Sequence, residues 1–366
     1  MDDGIPGVDQ ARYRLLDLQA VPCDGGVIVR RGRTRLRIPG AKAAELLDLL
    51  VARSAEGRGI NLEDLSVDVD PADRETLADL VAHLRGARLL VVGPETGRGE
   101  RRDDVFYWNH GTTAAATVAN LERVSLAIFG INHVSLPLLG NLRSCGFRFL
   151  TLVDHPALRN LDFFDDDAAL RPEIAGAMSV RPVAFADWQA RDRRVDCHIA
   201  CSDVGGLSLM RDWNRACVVA DIQFYPIVLE DEVAHLGPMV VPGEGPCYEC
   251  LSLRRDSVAA DPDGGRAGRG HAFFGGTVSG YLQPMARAAA DIGAIELLKH
   301  FGKTLPGGAA GRLVEADLMT PSLRTRTILK VPRCPVCATA RLPEAPVQAE
   351  ASRQDATSED AGPKVE

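Results

Sequence analysis

The sequence contains no run of roughly 18 consecutive apolar residues, so no segment of it is expected to span a membrane. It has no basic excess: 42 Lys and Arg stand against 50 Asp and Glu, a formal net charge of −8, which argues against a general nucleic-acid binder. The opening Met1-Asp-Asp-Gly-Ile-Pro6 is acidic and has no apolar core. No signal peptide is therefore expected, and the cytoplasm is the expected compartment. Lysine is absent between Lys42 and Lys299, so no lysine can clamp a phosphate in the first half of the second domain, and Arg159, Arg171 or Arg181 would have to substitute. His110, His133 and His198 are isolated, and no Ser/His/Asp set can be assembled from neighbouring motifs. What remains is an ordinary globular composition, 46% hydrophobic and 25% charged, in a 366-residue chain long enough for two domains.

Nine cysteines, an odd number in a chain with no export signal, point to reduced thiols and metal rather than to a disulfide framework. Four of them form two pairs, Cys247-Tyr-Glu-Cys250 and, after 83 intervening residues, Cys334-Pro-Val-Cys337. Two such pairs can place four thiolates tetrahedrally around one Zn²⁺, each pair supplied by a tight turn. Pro246 and Pro335 stiffen these turns, while Gly243 and Gly245 let the backbone curl. A site with four protein ligands has no open position, so the metal is expected to be structural. Cys145, Cys197, Cys201 and Cys217 lie in apolar contexts and read as core thiols.

The first ninety residues read as a small module. Strands are predicted at 13–21, 26–31 and 34–38, a helix at 42–53, a short turn at 61–65 and a second helix after Asp70-Pro71. Leu77, Leu80, Val81 and Leu84 follow at helical spacing, Gly86 closes the helix, and Leu89–Val92 leads out. This order is the outline of a winged helix-turn-helix. Asp73, Glu75 and Asp79 on the second helix would repel a DNA phosphate. Arg33, Arg35 and Arg37 instead alternate onto one face of the third strand, with Leu36 and Ile38 on the other. Charged residues on an edge strand protect against aggregation. They also suit an edge that accepts an extended acidic peptide by main-chain hydrogen bonds, with Leu77, Leu80, Val81 and Leu84 taking its apolar side chains. Residues 9–92 resemble the RiPP recognition element, the PqqD-like leader-peptide-binding module of ribosomal peptide biosynthesis.

Residues 93–105 are rich in Gly, Arg and acid and read as a linker to a second domain over 106–342. There, strand 124–129 runs into Gly130-Ile-Asn-His-Val-Ser135, helix 136–144 follows, and strand 149–153 ends at Asp154. Strand, tight turn, helix and strand with an acid at its tip make a Rossmann-like unit. The phosphate turn departs from its glycine pattern: the three positions read Gly130, Asn132 and Ser135. Further strands are predicted at 196–203, ending in Asp203, and at 218–222, with a helix end over 212–217. A long helix over 277–300 and a strand pair at 313–317 and 324–329 close the domain.

The Gly-Pro and Pro-Gly run at 237–243, Cys247-Tyr-Glu-Cys-Leu251 followed by Arg254, and the late Cys334-Pro-Val-Cys337 resemble the E1-like, ThiF-like superfamily. They are most similar to its cyclodehydratase partner proteins of thiazole/oxazole-modified peptide (TOMM) pathways. The resemblance implies an α/β fold: a winged helix-turn-helix module followed by a ThiF-type domain with a structural zinc site. It implies a nucleotide site made of Gly130, Asn132, Ser135, Asp154 and Asp203, with Asp203 ahead of Arg211 and Asn214. That site is degenerate. Pro156 replaces the second acid of an Asp-x-Asp pair, and Asn160-Leu-Asp-Phe163 lacks the family's arginine. ATP is therefore not expected as a cofactor. The function implied is that of a non-catalytic adapter, which binds the leader peptide of an azole-containing bacteriocin or thiopeptide precursor and presents it to a YcaO-type cyclodehydratase. The alternative is an ATP-dependent adenylyltransferase acting on a peptide, for which Cys217 would be the thioester candidate. A homodimer is compatible with either. Residues 254–270 read as a mobile crossover loop, and 343–366 as a disordered acidic tail.

Overall fold

The computed structural model describes residues 12–55, 59–92, 102–178, 180–190, 194–261, 263–264 and 280–338. The expected acidic tail, most of the linker and residues 262 and 265–270 of the expected loop lie outside the described residues; residues 254–257, expected to open that loop, are helical and end the helix Tyr248–Ser257. The chain divides into two compact units, one of Met1–Arg123 with Cys145–Phe147 and Leu297–Gly308, the other of the remainder.

In the first unit, apolar alternation produces two small sheets. Strand β1 (Arg12–Leu15) lies between β5 (Ile60–Asn61) and β6 (Leu90–Val92). Strands β2 (Gln19–Cys23), β3 (Gly26–Arg31) and β4 (Thr34–Pro39) form an antiparallel meander. Its turns use Gly25 and Gly32 at φ +74° and +53°, a region open to glycine at no steric cost. The single strand expected over 13–21 is thus two. Its halves pair with different partners, and Leu16 between them turns inward, 1% exposed, donating its N–H to Leu89 O at 2.9 Å. Helix α1 (Ala43–Ala55), the short α2 (Leu62–Val67) and α3 (Arg74–Gly86) complete the module. Asp70 accepts from Ala72 N at 3.0 Å and starts the turn leading into α3, as its place before Pro71 predicts. Val27, Val29, Ile38, Leu47, Leu50, Leu80 and Leu84 are all 0–1% exposed and make one core. Each such side chain stabilises the module by about 1.5–3 kcal/mol through burial. Helices α4 (Arg102–Asn109) and α5 (Ala114–Leu121) follow, the latter capped by Thr113, which accepts from Ala116 N at 3.1 Å. Residues 102–105, expected as linker, are the start of α4.

The second unit is built on an eight-stranded sheet in the order β14-β13-β12-β11-β10-β7-β8-β9. Strands β7 (Ser125–Phe129), β8 (Phe149–Asp154), β9 (Val183–Ala184), β10 (Cys197–Ser202) and β11 (Gln223–Glu230) run parallel. Strands β12 (Val233–Leu236), β13 (Arg312–Asp317) and β14 (Ser322–Thr327) extend the sheet antiparallel. Helices α6 (Ser135–Cys145), α7 (Pro172–Ala177), α8 (Phe185–Gln189), α9 (Leu207–Val219) and α10 (Tyr248–Ser257) connect them. Helix α11 (Gln283–Gly302) approaches β11 so closely that a Cβ on Gly293 would stand 2.6 Å from Ile227 Cδ1. The strand expected over 218–222 is instead the end of α9. Cys217 and Val218 are buried on that helix at 1% and 5% exposure, and Asp221 turns the chain at φ +55° before β11 begins. Packing of one helical face outweighs the β preference of the two valines. Among the described residues no helix is long and apolar enough to cross a membrane.

Candidate functional site

The chain order of the parallel strands reverses between β7 and β10. In such sheets the crevice beyond the carboxyl ends of the strands at that reversal is the place for a ligand. Gly130, Asp154 and Asp203 follow or end β7, β8 and β10, so the structure brings the predicted acids and turn to one crevice. Gly130 takes φ +109°, and a Cβ there would lie 2.7 Å from Cys201 O, so a side chain has no room.

Asn132 is fully buried and uses its whole side chain. Its Oδ1 accepts from Val134 N at 3.1 Å and Ser135 N at 2.9 Å. Its Nδ2 donates to Cys201 O at 2.8 Å and Leu158 O at 3.0 Å. Ser135 Oγ accepts from Asn132 N at 3.0 Å, which makes a reciprocal capping box at the start of α6. The amides of Val134 and Ser135, which a phosphate turn would offer to its ligand, are therefore already bonded. Asp154, the acid at the tip of β8, is held by Arg159, with Nε to Oδ1 at 2.7 Å and Nη2 to Oδ2 at 2.8 Å. Arg159 also lies 4.4 Å from the centre of the Phe164 ring. Arg171 donates to Phe164 O at 3.1 Å and Arg181 is exposed, so neither substitutes for a phosphate clamp here.

Asp203 is also fully buried. Its Oδ2 accepts from His133 N at 3.0 Å, Asn160 Nδ2 at 2.8 Å and the Tyr281 hydroxyl at 2.7 Å, while Oδ1 has no hydrogen-bond partner. Burial, then the neighbouring Asp203, pushes the Tyr281 hydroxyl up, so it stays protonated and donates. Tyr281 was missed by sequence reasoning; it stands alone in its stretch and only the returning chain brings it to Asp203.

The four paired cysteines meet in one buried cluster, their sulfurs all within 4.8 Å of one another. Cys247 and Cys334 are 3.7 Å apart, and Cys250 and Cys337 3.6 Å. Four thiolates at about 2.3 Å around a tetrahedral Zn²⁺ would be about 3.8 Å apart, so the donor set fits that ion. Cys250 Sγ also accepts from Val331 N at 3.4 Å, and hydrogen bonds from Cys247 and from that amide hold its thiol well below the ordinary range. Arg211 and Asn214, which the family resemblance sets near a metal-binding acid, point to this cluster instead. Arg211 makes two bonds, at 2.8 and 2.6 Å, to the buried Glu249 between the first two cysteines. Asn214 Oδ1 accepts from Tyr248 N at 3.0 Å. Gly311, at φ +75°, lets the returning chain pass: a Cβ there would lie 2.6 Å from Pro246 Cγ.

In the first unit, β4 pairs only with β3, so its other edge carries no strand among the described residues. Arg35 and Arg37 are exposed on β4, with Leu36 half-buried and Ile38 buried on the opposite face. Arg37 Nη2 donates to Asp24 O at 3.1 Å. Arg33 lies in the turn before β4 rather than on it. Leu77, Leu80, Val81 and Leu84 face the module's own core, 0–9% exposed. Among the other cysteines, Cys197, Cys201 and Cys217 are buried, and burial pushes the Cys217 thiol up to about 12, far from a thiolate at neutral pH.

No protein-family model matches the chain. A stretch of 93 residues is 33% identical to a sulfur carrier protein adenylyltransferase of Thermus thermophilus; the match covers 25% of this chain and 30% of that protein's length. Among solved structures, E. coli MccB is similar with a TM-score of 0.65 at 16% identity, over 91% of this chain and 98% of MccB. MccB, described as the microcin C7 biosynthetic enzyme, in complex with N-formylated MccA is similar with a TM-score of 0.66, over 89% and 99% of the two chains. A heterocyclase in complex with substrate and cofactor gives 0.57 at 14% identity, over 90% of this chain and 40% of that one. At such identities these likenesses establish a shared fold: a Rossmann-like sheet within a mixed α/β chain.

Proposed function

We propose that this chain is a non-catalytic adapter of ribosomal peptide biosynthesis. It binds the leader peptide of an azole-forming precursor through its N-terminal module and presents the precursor to a YcaO-type cyclodehydratase. One observation carries the reading. The groups that a nucleotide would use are consumed internally, the turn amides by Asn132 and the Asp154 carboxylate by Arg159. The fold is kept while the ligand's places are filled by side chains. The open edge of β4, with Arg35 and Arg37 on one face, suits an extended acidic strand, and Arg33 adds charge at its start. The solved neighbours lend support, since one holds the peptide MccA and another is a heterocyclase holding its substrate. Zn²⁺ is the metal favoured by four buried thiols, and it acts as a clamp.

Two titrations test this reading. Calorimetry with Mg-ATP should give no binding heat; micromolar binding with pyrophosphate exchange would count against the adapter. A leader-length peptide selected from a displayed library should bind the chain and lose at least roughly ten-fold in affinity against the triple Arg33→Glu, Arg35→Glu, Arg37→Glu variant. Unchanged affinity would remove the β4 edge as its site.

The second reading, an adenylyltransferase acting on a peptide with Asp154, Asp203 and Mg²⁺, is favoured by one atom. Asp203 Oδ1 is buried without a partner at the strand reversal, as an acid that awaits a cation would be.

A further inference from the structure

A second cavity in the same unit, of about 400 Å³, opens between α8 and α9 and is walled by aromatic rings. Phe129 from β7 is the hub. Trp213 lies 4.5 Å from it at 69°, Trp188 5.7 Å at 89°, and His198 4.8 Å. Phe185 and His155 close another side, 4.3 Å apart. Rings set edge to face in this way leave aromatic faces available as walls.

The polar groups of this cavity are selective. Trp213 Nε1 donates to His198 Nδ1 at 3.2 Å, so the indole proton is already used. Burial holds His198 down to about 4 and lowers His155 as well, so both imidazoles are neutral at neutral pH. His155 Nδ1 has no hydrogen-bond partner, and Asp212 and Gln189 stand in the lining, each offering an acceptor oxygen. Among the described residues no lysine or arginine lines the cavity, and Asp212 is the one formal charge.

Each of these features excludes a class of ligand. The negative charge of Asp212, with no cation among the described lining residues, disfavours phosphates and carboxylates. A wholly apolar guest would leave the buried His155 Nδ1 without a partner and gain nothing from Asp212 or Gln189. An ammonium group is a compact, strongly hydrated charge that gives up water reluctantly, whereas a guanidinium is flat, weakly hydrated, stacks on aromatic faces and carries five donors and no acceptor. We propose that the aromatic cavity between α8 and α9 binds a guanidinium group, the side chain of an arginine presented by a peptide. The arginine stem lies along Trp213 and Phe185, and the head meets the acceptors. Neither the β4 edge nor the Asn132 turn takes part, so this site stands whether or not the leader-peptide reading does.

The test is tryptophan fluorescence of the full chain titrated with N-acetyl-arginine amide, and in parallel with the citrulline analogue, which has the same shape and no charge. Of the three tryptophans, Trp188 and Trp213 line the cavity. The expected result is saturable quenching by the arginine compound, citrulline at least ten-fold weaker, and a several-fold loss in Asp212→Asn. Asp212 is exposed, so that variant keeps the fold. A Gly-Arg-Gly tripeptide should bind at least as tightly as the amide. Absence of saturable quenching, citrulline binding as well as arginine, or an unchanged affinity in Asp212→Asn each overturns the assignment.

Discussion

Arg159 grips both carboxylate oxygens of Asp154, at 2.7 and 2.8 Å, with the two side chains only 24% and 17% exposed. The acid that a Rossmann-like fold offers to a ribose hydroxyl is here a partner in a planar two-bond pair. Lysine cannot reproduce that fork or stack on Phe164 as the guanidinium does. Arg159→Lys is therefore expected to destabilise the chain nearly as much as Arg159→Ala, each by about 1–2 kcal/mol for a partly buried pair. Urea unfolding of the two variants checks this, and full recovery by lysine would mean that only charge matters.

Asn132 makes a sharper case because it satisfies two amides and two carbonyls at once. Asn132→Ala removes a helix cap and leaves Leu158 O and Cys201 O short of a donor in a buried place. About 2–4 kcal/mol should be lost. Ser135→Ala removes one side of the box only and should cost about 1 kcal/mol. The order of the two midpoints is the observation to make. Asn132→Gly is not expected to bring ATP binding by itself, since Arg159 still occupies Asp154.

The cysteine pairs were the most legible feature of the sequence, because ligand spacing is a local property and the four thiols converge as the spacing implies. The strand, turn and acid around Gly130 and Asp154 were legible for the same reason. The sequence also showed that Asn132 and Ser135 break the glycine pattern, but not that they cap each other, which needs the turn geometry. Two features depended on distant chain and could not be read. Tyr281 reaches Asp203 across 78 residues, and Glu249 takes Arg211 across 38. The three leucines and one valine of α3 showed the right helical period, and the period cannot distinguish a core face from a groove wall. The split of the first strand at Leu16 was hidden too, since an apolar alternation says nothing of which sheet each half joins.

The buried imidazoles set a pH dependence. His198 is held down to about 4 by burial, and His235 to about 4 by burial and then by Arg255, against an ordinary value of 6.5. Between those limits the unfolded chain binds protons that the folded chain refuses. Stability is therefore fully present above about pH 6.5, falls as pH drops, and the loss from these groups is complete below about pH 4. Each imidazole contributes at most about 3 kcal/mol to that fall. His198→Gln, neutral throughout, should flatten the decline in melting temperature between pH 6.5 and 4.5. Equal slopes in the variant and the parent would show that His198 titrates normally in the fold.

Glu249 joins the four-cysteine cluster to α9, and its burial makes the joint unforgiving. At 3% exposure, it depends on Arg211 for both of its oxygens. Removing the partner strands a charge, which costs about 3–5 kcal/mol, whereas replacing the pair together costs far less. Arg211→Ala should thus destabilise more than the double Arg211→Met, Glu249→Leu variant. The consequence reaches the metal, because Glu249 sits between Cys247 and Cys250 and Asn214 bonds the Tyr248 amide beside it. Arg211→Ala protein should hold less than the one zinc per chain expected of the parent, measured by mass spectrometry of the metal after dialysis, and should release it to a chelator faster. Cys334→Ser sets the lower limit: it breaks the four-thiol set directly, should lose the ion altogether, and should melt well below the parent. If Arg211→Ala lowers the melting temperature and leaves zinc content and release unchanged, the ion pair stabilises α9 and has no part in the clamp.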